Sequence, residues 1–116
     1  MKKKRIGRVI KAYQAAYPDP LIVKSGEKLI ISEKESEWPG WVWGTNAGGK
    51  SGWVPKKYLE NCGGFGRARC DYDATELTVL AGERLSIHKI ESGWAWCENE
   101  HRQSGWVPLE CIKMTG

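Results

Sequence analysis

Long apolar runs are missing from this chain, and so is any window with a convincing helical period. Without such a run no segment can cross a bilayer as a helix. The basic start, Met1-Lys-Lys-Lys-Arg5-Ile6-Gly7-Arg8, is followed by neither an apolar stretch nor a small-residue cleavage site. A secretory signal is therefore not expected, and the expected location is the cytoplasm. Histidine is scarce, with only His88 and His101. The four cysteines, Cys62, Cys70, Cys97 and Cys111, include no Cys-x-x-Cys pair, and neither histidine stands at ligand spacing from them. No metal or other cofactor is expected. A Gly-x-Ser-x-Gly elbow is absent and no nucleotide-binding loop is expected, so the chain reads as non-enzymatic.

Aromatic and basic residues are what the chain does hold. Seven Trp and four Tyr stand against one Phe in 116 residues. Indole and phenol rings carry apolar area with a polar handle, which suits shallow binding faces as well as cores. Hydrophobic content of 41% with 28% charged residues describes a globular protein. The net charge of +4 is uneven: residues 1–60 carry 12 basic and 6 acidic side chains, residues 61–116 carry 6 and 8. The basic start reads as a solvated tail.

The chain repeats itself. Ser51-Gly-Trp-Val-Pro55 returns as Ser104-Gly-Trp-Val-Pro108, and twelve residues before each motif's Trp stands Gly40-Trp-Val-Trp43 or Gly93-Trp-Ala-Trp96. Further back come Ser25-Gly-Glu-Lys-Leu-Ile-Ile31 and Ala81-Gly-Glu-Arg-Leu-Ser-Ile87, then Tyr13 and Tyr72. The blocks keep their order, and length differences fall between them, where loops tolerate insertion. Each copy reads as β: Val9–Tyr13, Lys28–Ser32, Gly40–Gly44 and Ser51–Val54 are short runs rich in β-branched and aromatic residues. Turn residues separate them at Tyr17-Pro-Asp-Pro20, Glu37-Trp-Pro-Gly40 and Thr45-Asn-Ala-Gly-Gly49, the last a hairpin loop. The expected fold is all-β, two tandem small five-stranded barrels at 8–60 and 67–114, joined by a glycine-rich linker at 61–66.

These blocks resemble Src-homology-3 (SH3) domains. Such domains carry an Ala-Leu-Tyr-Asp-Tyr strand, a Gly-Glu turn before an apolar strand, a groove Trp, and a Gly-aromatic-aliphatic-Pro block followed by Tyr. The second copy shows Ala68-Arg-Cys-Asp-Tyr72, Gly82-Glu83, Trp94 and Gly105-Trp-Val-Pro108. The first shows Val9-Ile-Lys-Ala-Tyr13, Gly26-Glu27, Trp41, and Gly52-Trp-Val-Pro55 with Tyr58. The resemblance implies a protein-interaction module that binds an extended, proline-rich peptide on stacked rings. In the first copy it assigns Tyr13, Trp41, Pro55 and Tyr58 to the groove, with Lys11 at the position of the missing first tyrosine. In the second it assigns Tyr72, Trp94 and Pro108, but Cys70 and Cys111 replace two tyrosines. The first copy is thus the expected peptide-binding half and the second a diverged or structural copy. Because those two tyrosine positions meet in the family, Cys70 and Cys111 are expected to be neighbours, with a thiol pair the lesser reading.

Lys11, Lys56 and Lys57 flank the aromatics of the first copy, and its first long loop offers only Asp19. A neutral or acidic ligand is therefore expected over an Arg-flanked one. The alternative is a nucleic-acid-binding barrel, with Lys2 to Arg5, Lys11, Lys56 and Lys57 supplying charge and Trp41 and Tyr58 a stacking platform. The acidic second copy and Glu33, Glu35 and Glu37 beside Trp41 weigh against it. No membrane partner is expected, and the protein is expected to be a monomer.

Overall fold

Arg5-Ile-Gly-Arg-Val9 is a strand, β1, and not the end of a tail. Its alternation aims Gly7 and Val9 inward and leaves Arg8 outside. Gly7 is required there: a Cβ on it would lie 2.5 Å from Cγ2 of Ile112. The computed structural model describes residues 5–16, 19–32 and 39–115, so Lys2–Lys4, Tyr17, Pro18 and the three glutamates of 33–37 lie outside the described residues. The expected strand over Val9–Tyr13 starts four residues earlier, and its far end keeps only a bridge from Tyr13 to Val79.

The remaining strands are β2 (Ile22–Val23), β3 (Lys28–Ser32), β4 (Trp41–Thr45), β5 (Ser51–Pro55), β6 (Leu59–Asn61), β7 (Gly66–Ala68), β8 (Tyr72–Asp73), β9 (Arg84–Glu91), β10 (Trp94–Glu98), β11 (Ser104–Pro108) and β12 (Ile112–Thr115). Single 3-10 turns, Lys56–Tyr58 and Leu109–Cys111, follow β5 and β11. The strands form two five-stranded sheets, ordered β11-β10-β9-β1-β12 and β5-β4-β3-β7-β6, with β2 and β8 as a separate pair.

The sheets do not follow the repeats. One compact unit comprises residues 1–16 and 76–116, the other residues 17–75. β1, which opens the first repeat, pairs with β9 and β12 of the second. β7, which opens the second repeat, pairs with β3 and β6 of the first. The first strands have changed places. The unit of 17–75 is accordingly a permuted barrel, continuous in sequence, whose opening strand comes late in its chain. It is inserted in the first long loop of the other unit.

The glycine-rich segment explains why. Cys62-Gly-Gly-Phe65 is a tight hairpin turn and not a free linker: the Cys62 N–H donates to the Phe65 carbonyl at 3.0 Å, and Gly63 and Gly64 have φ of 69° and 105°. Positive φ at both central positions is what a type I′ hairpin turn requires. Asn61 and Gly66 close its ends as register partners. Folding β7 back on β6 closes a very short loop, whereas pairing β7 within its own repeat would close a far longer one.

Docking of the exchanged strands is equivalent in the two units. Gly26 N–H donates to Ala68 at 2.7 Å and Ala68 N–H to Glu27 at 2.9 Å; Gly82 donates to Val9 at 2.7 Å and Val9 to Glu83 at 2.8 Å. Arg67 and Arg8 each donate through Nη1 to the carbonyl of the turn glycine, Gly26 and Gly82 respectively. Those glycines have φ of 86° and 96°, which accounts for the repeated Gly, and Glu27 and Glu83 accept from the Lys24 and Leu80 N–H groups, which accounts for the Glu. Val9 joins Leu77, Val79, Leu85, Ile87, Ala95, Cys97, Val107 and Ile112 in one core. Leu21, Val23, Leu29, Val54 and Ala68 are buried in the other unit.

The hairpin loop expected after Thr45 is present, and Asn46 organises it by accepting from the Lys50 N–H at 3.0 Å. Asn99 does the same for Gln103 between β10 and β11. Gly44-Thr-Asn-Ala-Gly-Gly-Lys-Ser51 also fits the Gly-x-x-x-x-Gly-Lys-Ser spacing of a phosphate loop, so the sequence does hold such a string. A phosphate loop leads from a strand into a helix. Here it joins two antiparallel strands, Lys50 pairs with Asp19 at 2.9 Å, and the Ser51 and Thr45 hydroxyls bond each other.

Candidate binding grooves

The strand exchange moves Lys11 and Tyr13 into the unit of the second copy and Tyr72 into that of the first, while Trp41, Pro55 and Tyr58, and Trp94 and Pro108, stay with their own copies. In the unit containing β1, Tyr13 stands edge-on to Trp94, centroids 5.6 Å apart and planes at 84°. Its hydroxyl donates to Glu76 Oε1 at 2.6 Å, and the same oxygen accepts from the Ala16 N–H at 2.8 Å. Pro108 and Cys111 are buried there. Tyr13 therefore belongs with the second copy's Trp94 and Pro108, and not with Trp41.

In the unit of 17–75, Tyr72 takes the place expected for Tyr13. Its ring meets Tyr58 edge-on at 5.7 Å, and its hydroxyl donates to the Trp53 carbonyl at 2.8 Å. Trp41 and Pro55 are register partners on β4 and β5 of the same unit. Trp41 and Trp94 keep only 9% and 8% of their surface. Tyr13 and Tyr58 are half-buried, and Lys11, Lys56 and Lys57 are exposed.

The two tyrosine positions expected to meet do meet, across the repeats. Cys111 accepts backbone hydrogen bonds from Ile10 and Lys11, and Arg69, beside Cys70, donates to Tyr58. Cys70 and Cys111 thus belong to different units, so no single barrel brings them together, and all four cysteines are free thiols. Cys70 is exposed, whereas burial raises the Cys111 thiol, Glu110 adding to the rise and Lys11 opposing it. Cys97, at the position of Gly44, is fully buried and pushed up to about 12 by desolvation.

The exchange brings acids that the first copy lacks. Asp71 accepts from the Ser25 N–H at 2.8 Å, and Asp73 accepts from Thr75. With Asp19 bonded to Lys50, each acid described in this unit's long loop has an internal partner. The Asp71–Ser25 contact crosses the repeats; its counterparts, Ala12 and Ala81, carry no polar side chain. Glu76 and the two aspartates are acids beside the aromatic sets that reading each repeat alone misses. The signal was the Gly63-Gly64 turn.

The repeated strand order, the Gly-Glu turns and the paired aromatic sets define an interaction module of small-barrel type. The chain belongs to the SH3 family: the variant SH3 domain model matches residues 6–62 and again 65–114. Those matches follow the sequence repeats. The chain is 24% identical to intersectin-2 of Mus musculus over 131 aligned residues, covering 90% of this chain and 8% of that protein. It is 28% identical to the SH2/SH3 adapter protein dreadlocks of Drosophila melanogaster over 123, covering 87% and 22% respectively. The chain thus spans a small part of these relatives. No solved structure matches it significantly.

Proposed function

We propose that this interaction module binds an extended, proline-rich segment through the groove of the 17–75 unit, built from Trp41, Pro55 and Tyr58 of the first repeat and Tyr72 of the second. The observation that carries this reading is the Tyr58–Tyr72 pair, which gives one groove the family's ring types at four positions. The Tyr13–Trp94 groove ends in buried Cys111 where the family has a ring, and serves as the structural copy. Lys56 lies exposed beside Pro55, while Asp19, Asp71 and Asp73 are bonded internally. The ligand is therefore neutral or acidic beside its prolines, and not Arg-flanked. The protein acts as a monomer in the reducing cytoplasm, where its four thiols stay free.

A chemical-shift titration with proline-rich peptides, neutral, Glu-flanked and Arg-flanked, tests this. Shifts at Tyr58 and Tyr72 that vanish in Tyr72→Ala and are weakest for the Arg-flanked peptide are expected. Shifts at Tyr13 and Trp94 alone, or a preference for the Arg-flanked peptide, would overturn it.

A further inference from the structure

A row of three cations crosses the outer face of the sheet that contains β1. Arg8 is the register partner of Lys113 on β12 and of Arg84 on β9, and all three side chains are exposed. Like charges directly opposite on neighbouring strands destabilise a sheet. Among the described residues none of the three forms an ion pair with a carboxylate. Glu83, next to Arg84 in sequence, is engaged elsewhere: it accepts from the Leu80 N–H.

The other unit supplies an internal control. Its equivalent row is Glu60, Arg67 and Lys28, with the central arginine in register with a glutamate. Arg67 and Arg8 make the same bond to a turn glycine, so the central arginine has a structural task in both units. Lys113 in the place of Glu60 has none, and it turns a row of net +1 into one of +3.

We infer that the Lys113–Arg8–Arg84 row is a docking surface for an acidic segment of a protein partner, separate from the aromatic grooves. The row spans two inter-strand steps, roughly 9.5 Å, which is about three residue rises of an extended peptide, so carboxylates on alternate positions, roughly 6.7 Å apart, both fall within it. In the next row Thr115 and Ser86 flank Ile6 as register partners. The Thr115 hydroxyl donates to the Ile6 carbonyl at 3.3 Å; the Ser86 hydroxyl suits a carboxylate, and Ile6 offers no ring on which a base could stack. A protein partner also fits the family to which the chain belongs.

The test is a titration of the whole chain with hexaglutamate, read at the amides of Arg8, Arg84 and Lys113. Lys113→Glu copies a residue that the other unit already carries at this position and so keeps the fold. The expected result is shifts at those amides, an affinity that falls as salt rises, and a tenfold or greater loss in Lys113→Glu. The same loss should not appear in a Lys56→Glu, Lys57→Glu double variant. Three outcomes overturn the inference: no shift at low salt, binding unchanged by Lys113→Glu, or stronger shifts at these amides from oligothymidylate or phosphatidylserine vesicles than from the peptide.

Discussion

The two units reach one strand order from unlike material. The 17–75 unit is continuous and permuted, with its opening strand delivered by a two-glycine hairpin. The other is assembled from the two ends of the sequence. Where they differ inside, the differences are local. Gly44 and Tyr58 of one are Cys97 and Cys111 of the other, so a groove ring is lost in the unit that buries more sulfur. The family scaffold here accommodates both permutation and the replacement of a tyrosine position by Cys111, and in both units the opening strand arrives with a Gly-Arg pair. Gly7-Arg8 and Gly66-Arg67 are those pairs, and each arginine ties its strand to the glycine of a turn.

The largest effect that would sharpen this comparison is expected at paired glycines. A Cβ on Gly105 would lie 2.7 Å from the Leu77 nitrogen and 2.8 Å from the Glu76 carbonyl carbon, both backbone atoms. On Gly52 its nearest neighbour would be the Leu21 Cβ at 3.0 Å. Gly105→Ala should destabilise its unit by about 3 kcal/mol, and Gly52→Ala its own by about 1 kcal/mol. Amide exchange at Leu85 and Val107 reports one unit, and at Leu29 and Val54 the other. Equal losses at all four amides would break the division into two units.

A smaller effect separates the units by pH. The folded Cys97 thiol ionises near pH 12 and the unfolded one near 9.0. The native state then holds the extra proton between these values, so stability contributed below pH 9 is lost as pH rises through the window. The loss approaches about 1.4 kcal/mol per pH unit. Urea midpoints measured from pH 8 to 11 should fall less steeply in Cys97→Ala than in the parent. The 17–75 unit, with Gly44 at this position, should lack this contribution.

Much of this fold is legible in the sequence. The Trp-Val-Pro blocks, the Gly-Glu turns and the Asn46 loop are local signals, and each forms where its residues require. The family follows from their order. Which strand closes which barrel is not local. Val9 and Ala68 are both small apolar residues with an Arg before them, and either could complete either sheet. The glycine-rich run, read as a flexible joint, holds the deciding geometry because Gly63 and Gly64 both take positive φ. Assigning groove residues by repeat therefore puts Tyr13 with Trp41, whereas the exchanged strands put it with Trp94. Position in sequence named the residue types, and topology chose their partners.

The strand exchange is the central claim, and backbone NMR on the intact chain tests it most directly. Val9 N–H bonds Glu83, and Ala68 N–H bonds Glu27. Cross-strand nuclear Overhauser effects and hydrogen-bond couplings should therefore link Val9 to Glu83 and Ala68 to Glu27. Connections from Val9 to Glu27 and from Ala68 to Glu83 would contradict the exchange and return each opening strand to its own repeat.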